Sequence, residues 1–392
     1  MEQVYFQDTR TCREFGDRTF SGYEKKEVIQ ECKKKILECR VDTAIYLAFE
    51  LMGCGETRKI FTILEWILLK KIGIQNPVLP YRFYRRFKQY LKIRARILES
   101  LGQQRKKGTK KTDIEKMTDL SLRNSTRIRN IIAELVTIFC DSRKENTKTI
   151  IKCKSDDFKI NTIRQHTKSG DNDYIKYLAR PGDSAESRMA CNEIVWGLLQ
   201  KNESHVRFWI SWIYQWDAML LKNGIKLECA PRNHIYDTFD TKDISWFLWE
   251  VILREGNKLE ERIKRNINAI FALYKYEWST SKKKTRAHYL LLVTEYIIRL
   301  YSIRKGIVGD SSRYIRNSAY YLPHIEQMKK KEIIEVTSSI YKIDQLQKQP
   351  LISQEELSLT EKQRQKLRKK IEVRRSEAKL LTVHKLDSQM SK

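Results

Sequence analysis

The sequence predicts an all-α protein of two helical lobes followed by a basic tail, on three observations. Glycine and proline are scarce, 14 and 6 in 392 residues, too few for a turn-rich β sandwich. Apolar residues recur at steps of three and four, the period of an amphipathic helix rather than of a strand. Hydrophobic residues reach 41%, enough to build a core and to exclude wholesale disorder.

Taken in order, residues 24–39 and 42–52 read as two helices, the first charged and the second apolar, with Ala44, Ile45, Leu47, Phe49 and Leu51. Gly53-Cys54-Gly55 ends the second, as glycine does beyond a helix C-terminus. Ile60, Phe61, Leu64, Ile67 and Leu68 place a helix over 57–71. Asn76-Pro77 and Pro80 break the pattern. A basic helix follows over 81–98, then a loop over 102–112, then a helix over 127–140. Residues 141–187 are polar and read as a connection, with a short strand at 149–154. The second lobe, 185–302, holds seven of the eight tryptophans, Trp66 being the exception.

These elements divide the chain into an N-terminal extension (1–20), a first lobe (21–140) with a basic insertion (77–118), the connection, the tryptophan-rich lobe and a basic tail (303–392). Ile63-Leu64-Glu65-Trp66 and Phe247-Leu248-Trp249-Glu250 are alike, as are Arg129-Asn130-Ile131-Ile132-Ala133 and Arg265-Asn266-Ile267-Asn268-Ala269. They raise a diverged internal duplication, against chance likeness between amphipathic helices.

The 77 Lys and Arg outnumber the 49 Asp and Glu, for a net charge of +28, which points to a polyanionic partner. The excess is concentrated. Residues 81–111 hold twelve basic residues against the single acid Glu99. Arg82, Arg85, Arg86, Lys88, Lys92 and Arg96 are the candidate phosphate contacts on the helix, and Arg105, Lys106, Lys107, Lys110 and Lys111 those on a mobile loop. Tyr81, Phe83 and Tyr90 are positioned to stack on bases of a single strand. An acidic protein partner and a plain solvated face remain alternatives. The segment 361–375 adds eight basic residues and two acids, a tail able to hold any polyanion or to act as a nuclear-localisation patch.

Trp209, Trp212 and Trp216 share a helical face, and Trp246 and Trp249 repeat the spacing. Such a stripe is a core or partner-interface seam, with a base-stacking pocket as the sharper alternative. Glu65, Asp217 and Glu250 each adjoin a tryptophan in an apolar helix. A hydrogen-bonding or arginine partner is the expectation for each, and a catalytic acid the alternative.

The eight cysteines form no C-x-x-C pair and fit a reducing compartment. Cys32 with Cys39, and Cys229 with His234, fall short of a four-ligand zinc set. No Walker-type, G-x-G-x-x-G or G-x-S-x-G motif is present. No metal, cofactor or catalytic residue is therefore assigned. The apolar run 60–69 contains Glu65 and lies between lysines, too short for a membrane span, and the N-terminus shows no secretory h-region.

Phe20-Ser21-Gly22-Tyr23-Glu24, Glu50-Leu51-Met52-Gly53-Cys54-Gly55 and Ile74-Gln75-Asn76-Pro77-Val78-Leu79-Pro80 resemble, in that order, an uncharacterised all-helical family of nucleocytoplasmic large DNA (giant) viruses. Phe208-Trp209…Trp212…Trp216-Asp217 and Trp246-Phe247-Leu248-Trp249-Glu250 extend the resemblance, which spans about residues 20–300. It implies a viral protein with no assigned activity. The alternating helices also faintly resemble the collar domain of clamp loaders, without an ATPase motif.

The expectation is a non-enzymatic protein that binds phosphate backbone without sequence preference, DNA or RNA, as an accessory to replication, transcription or packaging. Its tryptophan-rich lobe would dock a protein partner. The setting would be the host cytoplasm (viral factory) or nucleus, with packaging in the virion as an extension. A structural scaffold of the virion or assembly site is the alternative, and an enzyme without a recognisable motif, such as a nuclease, the second.

Overall fold

The computed structural model describes residues 10–103, 111–227, 229–232 and 241–300. Among these the protein is all-α, with thirteen α-helices and no strand. Two compact units form, one from residues up to Glu65 with Arg86–Asp141, the other from Trp66–Arg85 with residues from Ser142 onward.

The first unit contains α1 (Cys12–Phe15), α2 (Lys25–Leu37), α3 (Val41–Gly53), most of α4 (Thr57–Ile67), the greater part of α5 (Leu79–Gln103), α6 (Lys111–Ser121) and α7 (Thr126–Asp141). α3 is buried over every residue from Thr43 to Gly53, as a helix apolar all round must be, and it packs on α2 and α7. Its one carboxylate there, Glu50, is buried and accepts hydrogen bonds from the Ser21 backbone N–H (2.9 Å) and the Ser21 hydroxyl (2.6 Å). Gly53 is needed where it stands. A Cβ there would lie 2.8 Å from Phe20 Cβ, and the Arg123 guanidinium donates to its carbonyl at 3.2 Å.

The second unit contains α8 (Ile160–His166), α9 (Ala185–Leu199), α10 (Glu203–Lys222), α11 (Ile244–Gly256), α12 (Glu261–Lys275) and α13 (Lys283–Arg299). Ser184, Asn202 and Asp243 cap α9, α10 and α11, each side chain accepting from an N–H of the first turn, the preferred residue types for that task. α9, α10, α11 and α13 pack against one another around the tryptophans.

Two sequence expectations are corrected. The strand at 149–154 does not form. Its backbone is satisfied instead by α10 side chains: the Ile151 N–H donates to Ser211 Oγ (3.1 Å), the Cys153 N–H donates to Gln215 Oε1 (3.0 Å), and Gln215 Nε2 returns a bond to the Ile151 carbonyl (2.8 Å). The 141–187 stretch is thus packed structure of the second unit rather than a bare connection. The lobes are also not contiguous in sequence, because Trp66–Arg85 belongs with the later residues. There, one wide π-type turn (Leu68–Ile72) follows α4. The Thr147 N–H donates to the Lys70 carbonyl (3.1 Å), Tyr81 N–H to Asn266 Oδ1 (3.0 Å), and Tyr296 O–H to the Pro77 carbonyl (3.1 Å).

Candidate nucleic-acid interface

α5 runs longer than its sequence suggested, from Leu79 to Gln103. Pro80 sits in the first turn, where its missing N–H removes no intrahelical bond. Three rings at three- and four-residue steps, Phe83, Phe87 and Tyr90, are buried. In the first unit Phe87 and Tyr90 pack on Phe61, with ring centroids 5.3 and 4.5 Å away. Arg58 lies 4.8 Å from the Phe87 centroid, an aromatic–guanidinium contact that closes that side. Phe83 and Tyr90 are therefore core residues and do not stack on bases, a correction of the expectation above.

Two arginines of this helix are tied down. Arg86 pairs with Glu134 of α7 at 2.6 Å and donates to Gln89 at 2.9 Å. Arg94 grips both oxygens of Asp119 on α6, at 2.6 and 3.2 Å. That bidentate hydrogen bond raises the Arg94 pKa further and fixes orientation as well as distance. Arg86, expected at phosphate, is thus a brace between helices.

Lys88, Lys92 and Arg96 are different. They stand four residues apart, are exposed, and have no hydrogen bond or ion pair among the described residues. A step of four residues advances about 6 Å along the axis and turns by about 40°, so the three head groups make a gently winding row about 12 Å long. Glu99, also exposed, closes it. Of the other candidates, Arg82 is half-buried, while Arg85 is exposed with its guanidinium 5.8 Å from the Tyr81 centroid. Lys111 opens α6, so it is helical and not part of a loop. Arg105, Lys106, Lys107, Lys110 and the tail 361–375 lie outside the described residues.

Neither a protein-family model, a curated protein sequence nor a solved structure matches this chain. The interface rests on its own geometry.

The tryptophan seam is core. Trp209, Trp212, Trp246 and Trp249 are 0% exposed and cannot touch a partner, while Trp216 is half-buried and stacks on Trp212 at 5.5 Å. The Trp212 N–H donates to the Asp157 carbonyl at 2.9 Å, and Trp249 lies 4.9 Å from Phe271 and 5.0 Å from Tyr274. The acids beside these rings have basic partners. Asp217 and Asp243 hold Lys283 between them at 2.6 and 2.9 Å. Burial alone would push this ammonium towards neutrality, but the two carboxylates outweigh it and raise its pKa. Glu250 meets Arg232 at 2.7 Å and Arg180 at 2.7 Å, and Arg232 also reaches Asp183 at 3.0 Å. Sequence reasoning found Asp217 and Glu250 but not Lys283 or Arg232. Lys283 stands inside the run Ser281-Lys282-Lys283-Lys284 and Arg232 between Pro231 and Asn233, so nothing local in the sequence marks either as buried.

A cavity of about 490 Å³ opens in the first unit among Cys12, Arg13, Lys25, Cys54, Lys116 and Asp119. Its charges are largely engaged: Lys25 with Glu56 (3.2 Å), Arg13 with Asp113 (3.2 Å), Asp119 with Arg94. Burial raises both thiols, Cys54 to about 12, so neither is a ready nucleophile at neutral pH. Among the described residues no group of His, Cys, Asp and Glu is arranged to hold a metal ion, and no helix is long and apolar enough to cross a membrane.

Proposed function

We propose that this protein binds the phosphate backbone of nucleic acid through Lys88, Lys92 and Arg96, without sequence preference, as a non-enzymatic accessory to replication, transcription or packaging. One observation carries the reading: three exposed cations, unpaired among the described residues, in register on a helix whose inner arginines are locked to carboxylates. Unpaired surface charge adds nothing to the fold, since exposed pairs contribute only about 0–1 kcal/mol even when formed. Its value is toward a polyanion, where each neutralised phosphate releases counterions. The basic residues 105–107 and 110 follow directly in the chain and join the same contact on this reading, with the tail adding avidity. The setting we propose, the viral factory or nucleus of a cell infected by a large DNA virus, rests on the sequence resemblance alone.

Fluorescence anisotropy with a labelled duplex of mixed sequence tests the reading. At about 50 mM salt the K88E/K92E/R96E protein should bind at least about tenfold more weakly than wild type. A control reversing the exposed Lys176, Lys222 and Lys284 should lose far less. Equal losses would mean diffuse charge and no site.

A further inference from the structure

We propose that Tyr84 and Tyr81 extend the Lys88/Lys92/Arg96 row into a track for single-stranded nucleic acid, stacking unpaired bases that a duplex does not offer. The inference rests on the phosphate-binding reading of that row. All five residues stand on α5. Tyr84 precedes Lys88 by four residues and Tyr81 precedes it by seven, the helical steps that share a face. Both tyrosines are half-exposed, whereas Phe83, Phe87 and Tyr90 occupy the buried side of the same helix. Tyr84 has no hydrogen bond or ring contact among the described residues. Tyr81 donates its backbone N–H to Asn266 Oδ1 at 3.0 Å, and its ring lies 5.8 Å from the Arg85 guanidinium. The backbone bond fixes the start of the helix without using the ring.

Proteins that hold single strands without sequence preference combine a cationic track with rings on which bases stack, each stacked base contributing roughly five- to hundredfold in affinity. α5 presents that combination in one line: two rings, then three cations at four-residue steps of about 6 Å. A single strand can lay a base on Tyr84 while its following phosphates run along Lys88, Lys92 and Arg96. A duplex brings phosphates to the same cations, but its bases are already stacked on one another. Taking one out of the stack costs at least about as much as a ring returns, so the tyrosines contribute only to the unpaired ligand. Every base has a π face, so the preference concerns strandedness and not sequence.

The test compares a labelled strand of mixed sequence with its own duplex at about 100 mM salt. It uses the full chain as wild type, Y81L/Y84L, Y81F/Y84F and K88Q/K92Q/R96Q, each checked for native circular dichroism. Removing the rings should weaken binding to the single strand at least about fivefold and change duplex binding by less than about twofold. Y81F/Y84F keeps the rings and loses only the hydroxyls, so it should bind both ligands like wild type. Y84L alone serves as the second variant should Y81L/Y84L fold poorly. Equal loss on both ligands, or loss on neither, overturns stacking by the tyrosines. A loss in Y81F/Y84F as large as in Y81L/Y84L assigns the effect to the hydroxyls and overturns it too. Phosphate binding stands in each of these cases if K88Q/K92Q/R96Q weakens both ligands. Unchanged binding by K88Q/K92Q/R96Q overturns phosphate binding by the row, and the track with it.

Discussion

Lys88, Lys92 and Arg96 in the first unit and Lys283 and Arg232 in the second are the same chemistry under opposite conditions. The first three are exposed and have no partner among the described residues. The other two are buried, each between two carboxylates. A buried charge left alone costs several kcal/mol, so it must be paired to be kept, whereas an exposed one imposes almost nothing on the fold. Burial therefore separates the two sets: Lys283 and Arg232 are paired within a core, while Lys88, Lys92 and Arg96 are left to solvent. The net charge of +28 mixes these two populations and says nothing about either until they are separated.

The contrast can be broken first at its buried end. Lys283→Met should destabilise the second unit by about 3–5 kcal/mol in urea unfolding, because Asp217 and Asp243 are left facing each other unpaired. Adding Asp217→Asn should recover part of that loss. A loss under about 1 kcal/mol would show that the pair is solvated after all.

Trp212→Ala should cost a comparable 3–5 kcal/mol or so through the cavity it opens. A partner-binding surface tryptophan would cost within about 0.5 kcal/mol, so this substitution separates core from interface by stability alone.

A pH effect comes next. Burial, then the neighbouring Glu203, push the Glu295 carboxyl up from 4.5 to about 7. The folded state then binds a proton more tightly than the unfolded chain. Stability from this group is fully present below about pH 4.5 and is lost as pH rises to about 7, by something on the order of 2–3 kcal/mol. Glu295→Gln should flatten the stability profile across that window. An unchanged slope would place Glu295 in water. Smallest of all, K88E/K92E/R96E should shift stability by no more than about 0.5 kcal/mol while binding collapses. A large stability loss would mean that the row is structural.

Much of this architecture is legible in the sequence, and the reasons it is not are physical. The apolar periodicity of α3, α4 and α7 is a local signal, and all three helices form where it predicts. Local signals also carry the charge concentration on α5. They fail where a partner comes from another element. Arg86 and Arg94 look identical to Lys92 until Glu134 and Asp119 are brought against them. Phe83 and Tyr90 read as accessible rings because their helix is basic, yet helical phase turns them inward. The 149–154 stretch alternates like a strand but finds its hydrogen bonds on Ser211 and Gln215 rather than on another strand. Trp212 and Trp249 share a spacing that fits a seam of either kind, and only three-dimensional closure decides for the core.

The most direct test of the central claim is the dependence of duplex affinity on salt. Each neutralised phosphate contributes about 0.9 to the slope of log K against log salt, so K88Q/K92Q/R96Q should flatten the wild-type slope by about 2.7, and neutralising Lys176, Lys222 and Lys284 instead should leave it nearly unchanged. If both variants flatten the slope equally, the row on α5 is not a site and the charge of this protein acts only in bulk.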